Sequence, residues 1–168
     1  KLVTFGMVSA KPSFWFDDGQ SPEQIEWEGQ RNVTDAAKAA GVKHMVLVSS
    51  MAGTKPGHFL NTQMENVVLW KRKAECYLIK SGVPFTIIHP GGLLPHAGGT
   101  GSVPGGKRQL YAALDDELMD DGTNRTTVPR EDVAEVCLRC LEMPSAALGR
   151  SFDLGSGPEG EGEPFTGE

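Results

Sequence analysis

The sequence predicts an α/β domain built on a parallel sheet with helices packed on it. Three observations lead there. Short apolar runs rich in β-branched residues, at 2–8 (LVTFGMV), 45–49 (MVLVS) and 85–89 (FTIIH), alternate with segments of helical period. The second run is apolar on both faces, as a strand covered by helices on each side must be. The three runs end at Gly6-Met7-Val8, Ser49-Ser50-Met51 and Pro90-Gly91-Gly92, segments whose small residues let a flat ligand approach the backbone. Ligands of open α/β sheets bind at that carboxyl edge.

Each element has a local reason. Lys11-Pro12 breaks the first strand. Phe14, Trp15 and Phe16 then lead into an Asp-Asp-Gly loop, read either as a surface lid or as a wall of a substrate cleft. Ser21-Pro22-Glu23-Gln24 is a capping box with proline at the first helical position. Ile25, Val33, Ala36, Ala37 and Ala40 form the apolar stripe of that helix, and Gly41 ends it. After the 45–49 strand comes a Gly- and Pro-containing loop, 50–60. Thr62-Gln63-Met64-Glu65 reads as a second capping box, and Met64, Val67, Val68, Ala74 and Leu78 define the next apolar face. Lys71 falls within that stripe. Ser81-Gly82 stops the helix before the 85–89 strand. The run 98–106 (GGTGSVPGG) is a loop and 109–119 a short helix. A last helix begins around Val128-Pro129, with Pro129 in the first turn and a buried face of Val133, Val136, Cys137, Cys140 and Leu141. Residues 151–154 (SFDL) form a final strand, and an acidic, glycine-rich tail follows.

Composition narrows the function classes. A net charge of −6 without a basic block gives nucleic-acid binding little support. No apolar run approaches the ~20 residues of a membrane span. Three cysteines, Cys76, Cys137 and Cys140, suit a reducing compartment. Cys137 and Cys140 have C-x-x-C spacing within a helical pattern, and a zinc site would need two further ligands that are not evident. They are read as core residues, and no metal is expected.

One phosphate-loop motif fails. Gly155-Ser156-Gly157-Pro158-Glu159-Gly160 has the G-x-G-x-x-G spacing, but no helix follows and acids surround it. Lys71 is the leading functional candidate. Its ammonium either snorkels to water or pairs with Glu75, or it reaches the strand-end crevice and hydrogen-bonds a ribose. Ser49 and Ser50 either bond a ligand carbonyl or cap the loop locally. His89 either polarises a substrate or bonds a backbone group. His44, His58 and His96 show no ligand spacing.

Several segments together resemble the atypical short-chain dehydrogenase/reductases, in particular the NmrA-like NAD(P)-binding proteins of plants and algae. They are Gly29-Gln30-Arg31-Asn32, Ser49-Ser50-Met51 with Gly53, Trp70-Lys71-Arg72-Lys73-Ala74-Glu75, Gly82-Val83-Pro84-Phe85-Thr86 with Pro90-Gly91-Gly92, and Val128-Pro129-Arg130 with Asp132-Val133-Ala134-Glu135. The resemblance runs over nearly the whole chain. It implies a Rossmann-like parallel sheet lacking the first β-α units: residues 1–155 as the C-terminal part of the domain and 156–168 as a flexible acidic tail. It implies NADP or NAD as cofactor and a small carbonyl or quinone-like substrate. Lys71 would hold the nicotinamide ribose, with Ser49 or Ser50 as the active-site hydroxyl. Pro90, Gly91 and Gly92 would pack on the nicotinamide, and Gly6, Met7 and Val8 would lie beside the riboses.

This chain departs from that pattern in three ways. Val67 stands four residues before Lys71, where the classical enzymes carry the proton-donating Tyr. His89 stands where many relatives have Arg. The glycine loop and the residue that distinguishes NAD from NADP are not within the sequence, which starts at Lys1 and is read as part of a longer protein. Residues 2–8 would then be an apolar edge that pairs with another segment or subunit. The implied compartment is the cytoplasm or the chloroplast stroma. The alternative function is a nucleotide-binding sensor or structural subunit without turnover.

Overall fold

In the computed structural model, which describes residues 15–94 and 103–165, the first helix opens on the predicted capping box. The Ser21 amide and hydroxyl both donate to Gln24 Oε1, at 3.3 and 2.9 Å, and the Gln24 amide donates to Ser21 Oγ at 3.3 Å. The winding then differs from expectation. Glu23–Gly29 is π-helical, and the chain becomes α-helical only in α1 (Gln30–Ala39). A π turn takes more residues than an α turn, so the apolar stripe loses its phase. Ile25 and Val33 are more than half exposed, and the buried residue is Thr34, whose hydroxyl bonds the Gln30 carbonyl. The expected strand at 2–8, with Gly6, Met7 and Val8, lies outside the described residues, as do Phe14 and His96.

β1 (Met45–Val48) follows as predicted. The second capping box does not form. Residues Phe59–Thr62 make a short helix, α2, and α3 (Val67–Ser81) starts after Glu65 and Asn66, both at positive φ. Asn61 does the capping from outside the helix. Its Oδ1 accepts from the Val68 and Leu69 amides, both at 3.2 Å, and its Nδ2 donates to the Ala52 and Lys55 carbonyls. One buried amide therefore fixes both the helix start and the loop after β1.

β2 (Phe85–Pro90) pairs parallel with β1 and with β6 (Arg150–Ser156). At Gly91 the chain changes neighbours. The Gly91 amide bonds Leu154, the Gly92 amide bonds Thr126, and β3 (Gly92–Leu94) then runs parallel to β5 (Thr127–Pro129). A Cβ on Gly91 would sit 2.2 Å from the Thr126 carbonyl oxygen, so only glycine allows this crossing. The predicted helix at 109–119 divides into a strand, a turn and a short helix. β4 (Leu110–Ala113) pairs antiparallel with β6, and only Glu117–Asp120 is helical, as α4. Pairing with β6 overrides the local preference of that segment. Pro129 closes β5 and precedes α5 (Arg130–Glu142) rather than lying inside it; α6 (Pro144–Ala147) leads into β6. Gly155 lies within β6, where a Cβ would meet the Arg125 carbonyl oxygen at 1.8 Å. That glycine serves close packing.

The sheet order is β1-β2-β6-β5-β3, with β4 also on β6. One core, around Leu78, Val83 and Ile87 with Ala37 and Leu47, lies under α1 and α3. The other, around Ile88, Val128, Val133, Cys140 and Leu154, lies under α5 and α6. Leu141, expected in that second core, is 48% exposed. Residues 45–47 and 87–88 send alternate side chains to the two cores, which is the strand period of two.

Replacing Asn61 by Ala strands two helix amides and two carbonyls. We expect a loss of at least about 2 kcal/mol in denaturant unfolding. A loss below ~0.5 kcal/mol would show that water replaces the side chain there.

Candidate functional site

Two of the clefts around the carboxyl end of β1 hold the predicted site residues. The larger, about 590 Å³, is bounded by Ser50, Met51 and Ala52 from the β1 loop and by Pro90, Gly91 and Gly92 from the end of β2. His58, Phe59, Met119 and Thr126 also face it. The smaller, about 340 Å³, contains Ser49, Lys71, Glu26, Gly29, Gln30 and Val33. The predicted site residues are thus divided. Ser50, Pro90, Gly91 and Gly92 share the larger cleft, and Lys71 and Ser49 share the smaller. Successive residues at a strand end face opposite ways, which separates the two serines. Trp15 is 81% exposed and lines neither cleft.

Lys71 is half-buried and its Nζ lies 2.5 Å from Glu26 Oε2 on the preceding helix. It does not pair with Glu75. Beside it the Gln30 Nε2 is buried without a hydrogen-bond partner. A free amide donor next to a lysine is a donor set suited to the hydroxyl oxygens of a ribose. The larger cleft has the complementary character, an apolar floor with few polar groups, as flat ring systems require. Together these residues fit a nicotinamide nucleotide.

Beneath the strand ends lies a buried charged network that the sequence reading did not anticipate. Glu75, 2% exposed, accepts from the Ser49 hydroxyl and from Arg72 Nη1 at 2.9 Å. Its other contact is His89, with Nε2 3.1 Å from Glu75 Oε2 and Nδ1 3.4 Å from Asp153 Oδ1. Asp153 Oδ2 accepts from the Asp116 amide at 2.8 Å. The Asp116 carboxylate in turn accepts from the Ala52 and Thr54 amides and the Thr54 hydroxyl. The network closes on the loop that lines the larger cleft. Burial alone raises the Glu75 and Asp116 carboxyls, but His89, Ser49 and Arg72 around the first, and Thr54 and Ala52 around the second, hold both below the usual range. Burial alone lowers the His89 imidazole; Asp153 and Glu75 outweigh it and raise its pKa to about 9.

The Ser49 hydroxyl is therefore committed to Glu75, whereas Ser50 bonds only the neighbouring Met51 carbonyl and stands at the larger cleft. Arg72, which looks like a solvated charge in sequence, joins the buried network, whereas Lys73 is exposed as expected. Arg72 binds Glu75, and Lys73 lies over the rings of Trp27 and Trp70 at 4.4 and 4.7 Å. His58 reaches the larger cleft although its spacing signals nothing. Its Nδ1 accepts from the Leu60 amide at 3.4 Å. Glu75 carried the one available signal: a carboxylate in the Val68–Ala74–Leu78 stripe.

The NAD(P)H-binding family matches residues 7–144 of this chain. Sanguinarine reductase of Eschscholzia californica is 50% identical over 153 residues, covering 90% of this chain and 52% of its own length. An uncharacterised chloroplastic protein of Arabidopsis thaliana is 50% identical over 155 residues, covering 92% of this chain and 45% of its own. The chain spans about half the length of these curated relatives. Among solved structures, one from Bacillus halodurans assigned as a NAD-dependent epimerase/dehydratase superposes with a TM-score of 0.67 at 20% identity, covering 90% of this chain and 63% of its own. A short-chain dehydrogenase/reductase from Veillonella parvula in complex with NADP gives 0.56 at 17% identity, covering 83% and 63%. These two likenesses establish the Rossmann-like fold.

The raised His89 pKa makes stability pH-dependent. The folded state binds this proton more tightly than the unfolded chain, whose histidine has a pKa near ~6.5. The contribution is full below that value and is lost as pH rises through about 9. We expect a decline on the order of 3 kcal/mol across that window in chemical denaturation. His89→Gln should flatten it, and an unchanged slope in that variant would place the effect elsewhere.

Proposed function

Since the chain belongs to the NAD(P)H-binding family, with NADP or NAD as cofactor, we propose that it forms part of a reductase acting on a small carbonyl or quinone-like substrate. The observation that carries this reading is the larger cleft. It is a largely apolar space at the strand ends, bounded by Pro90, Gly91 and Gly92, with Ser50, His58, Thr126 and Thr127 as its polar side chains. The likeness to sanguinarine reductase of Eschscholzia californica supports a reductase.

The bound dinucleotide would supply hydride. Lys71 and Gln30 would hold ribose hydroxyls, and Pro90, Gly91 and Gly92 would pack against the ring. Ser50, rather than Ser49, would orient the substrate carbonyl, because the Ser49 hydroxyl already serves Glu75. Val67 supports a second reading, a nucleotide-binding sensor or structural subunit without turnover, since no tyrosine precedes Lys71 by one turn. The chloroplastic relatives, which include the Tic62 protein of Pisum sativum at 42% identity over 79 residues, support a chloroplast location.

In the full-length protein, Lys71→Ala should weaken NADPH binding by about tenfold or more in titration calorimetry, as expected for a lost charge-assisted hydrogen bond. Unchanged affinity would remove Lys71 from the site. Oxidation of NADPH with any member of a carbonyl and quinone panel supports the reductase. Binding without oxidation across the panel favours the sensor.

A further inference from the structure

Below the ends of β1, β2 and β6 is a small recess of about 10 Å³ that opens toward solvent past Arg72 and Asp115. It is walled by Ser50, Thr54, Arg72, Glu75, His89 and Asp153, among others. That volume is about one water molecule. Two atoms of its surroundings, His89 Nε2 and Asp153 Oδ1, are buried and make no hydrogen bond. The Glu75 carboxylate is close enough to His89 Nε2 to pair with its charge, but lies off the hydrogen-bonding direction. A polar recess whose inner wall carries orphaned buried groups is the setting in which an ordered water is held. Among the described residues, Ser50 is the one that borders both this recess and the larger cleft.

We propose that the recess holds one water that links His89 to Ser50, so that His89 supplies the proton for reduction in the larger cleft. The proposal rests on the reductase reading. It answers the absence of the usual acid, since Val67 has no proton to give. Hydride from the reduced nicotinamide forms the new C–H bond, and the carbonyl π pair moves to oxygen. That oxygen takes the Ser50 hydroxyl proton. Ser50 is restored from the water and the water from His89 Nε2, which becomes neutral and is recharged from solvent between turnovers. Each turnover takes one hydride from the nicotinamide and one proton from the imidazolium, two electrons and two protons in all, and an alcohol, or from a quinone the hydroquinone, leaves. His89 touches no reacting atom, so it is a positioning and proton-supplying residue.

The groups facing His89 and the recess come from three elements: Glu75 and Arg72 from α3, Asp153 from β6, and Asp115 and Asp116 from the turn before α4. Carboxylates outnumber the cations, which keeps the imidazole charged at neutral pH with a pKa of about 9. An acid of that strength is close to a tyrosine, at ~10, and can serve the same step.

Two measurements on the full-length protein decide the matter. In ¹⁵N-histidine NMR, with His89→Gln to identify the signal, the His89 ring should stay doubly protonated to about pH 9; a neutral ring at pH 7 overturns the proposal. With phenanthrenequinone and NADPH, kcat should fall above about pH 9 in the parent protein. His89→Gln should lower kcat by roughly 100-fold with little change in KM, and should abolish that limb. A pH profile identical to the parent overturns the proposal. Asp153→Asn keeps the imidazole but removes a carboxylate, so it should move the limb to lower pH; this holds even where His89→Gln fails to fold. Absence of NADPH binding by the parent counts against the reductase reading alone, and the imidazole titration still decides whether His89 is charged.

Discussion

The placing of His89 between Glu75 and Asp153 is the constraint on which the site end of the molecule depends. A charge removed from water costs several kcal/mol unless it is matched and hydrogen-bonded. Here the matching groups come from elements far apart in sequence: the middle of α3, the end of β2 and the centre of β6. Removing any one of them would leave its partners as buried charges without their match. Through Asp116 the same network reaches the Ala52 and Thr54 amides, so the loop at the larger cleft is held from below by charge and from the side by Asn61. The loop carries Ala52 at positive φ, a conformation that needs such surrounding determination.

Much of the fold was legible because its signals are local. The strands at Met45–Val48 and Phe85–Pro90 are continuous apolar runs of the right length, and both were read from periodicity and turn residues alone. The Ser21–Gln24 box was read correctly because both partners lie within one turn. What failed has non-local causes. The segment Leu110–Ala113 becomes a strand because β6 offers it a partner more than forty residues away for most of its length. The Thr62–Glu65 box has the right letters, yet Asn61 satisfies the helix amides from outside it.

The site was legible only in its inventory. Lys71, Ser49, Ser50 and the Pro90–Gly91–Gly92 segment were all singled out, but their division between two clefts depends on side-chain direction at a strand end. His58 enters the larger cleft from a loop, where no periodicity could announce it. In sequence Glu75 reads as a possible partner of Lys71, and His89 as a group that polarises a substrate or bonds the backbone. Their meaning comes from Asp153, more than sixty residues further along the chain.

The division of the two serines has a consequence for how errors would propagate. Ser49 bonds the Ile88 carbonyl and Met51 bonds the Pro90 carbonyl, and these bonds set which of two chemically equal hydroxyls faces which chamber. A slip of one residue between β1 and β2 would leave both serines present and both hydroxyls intact, yet exchange their addresses. The chain would still contain every residue of the site while presenting the wrong one to the ligand. The identity of the working hydroxyl is thus written in strand alignment rather than in side-chain chemistry. A change in the β1–β2 pairing, remote from any ligand, would be as consequential as replacing the serine itself.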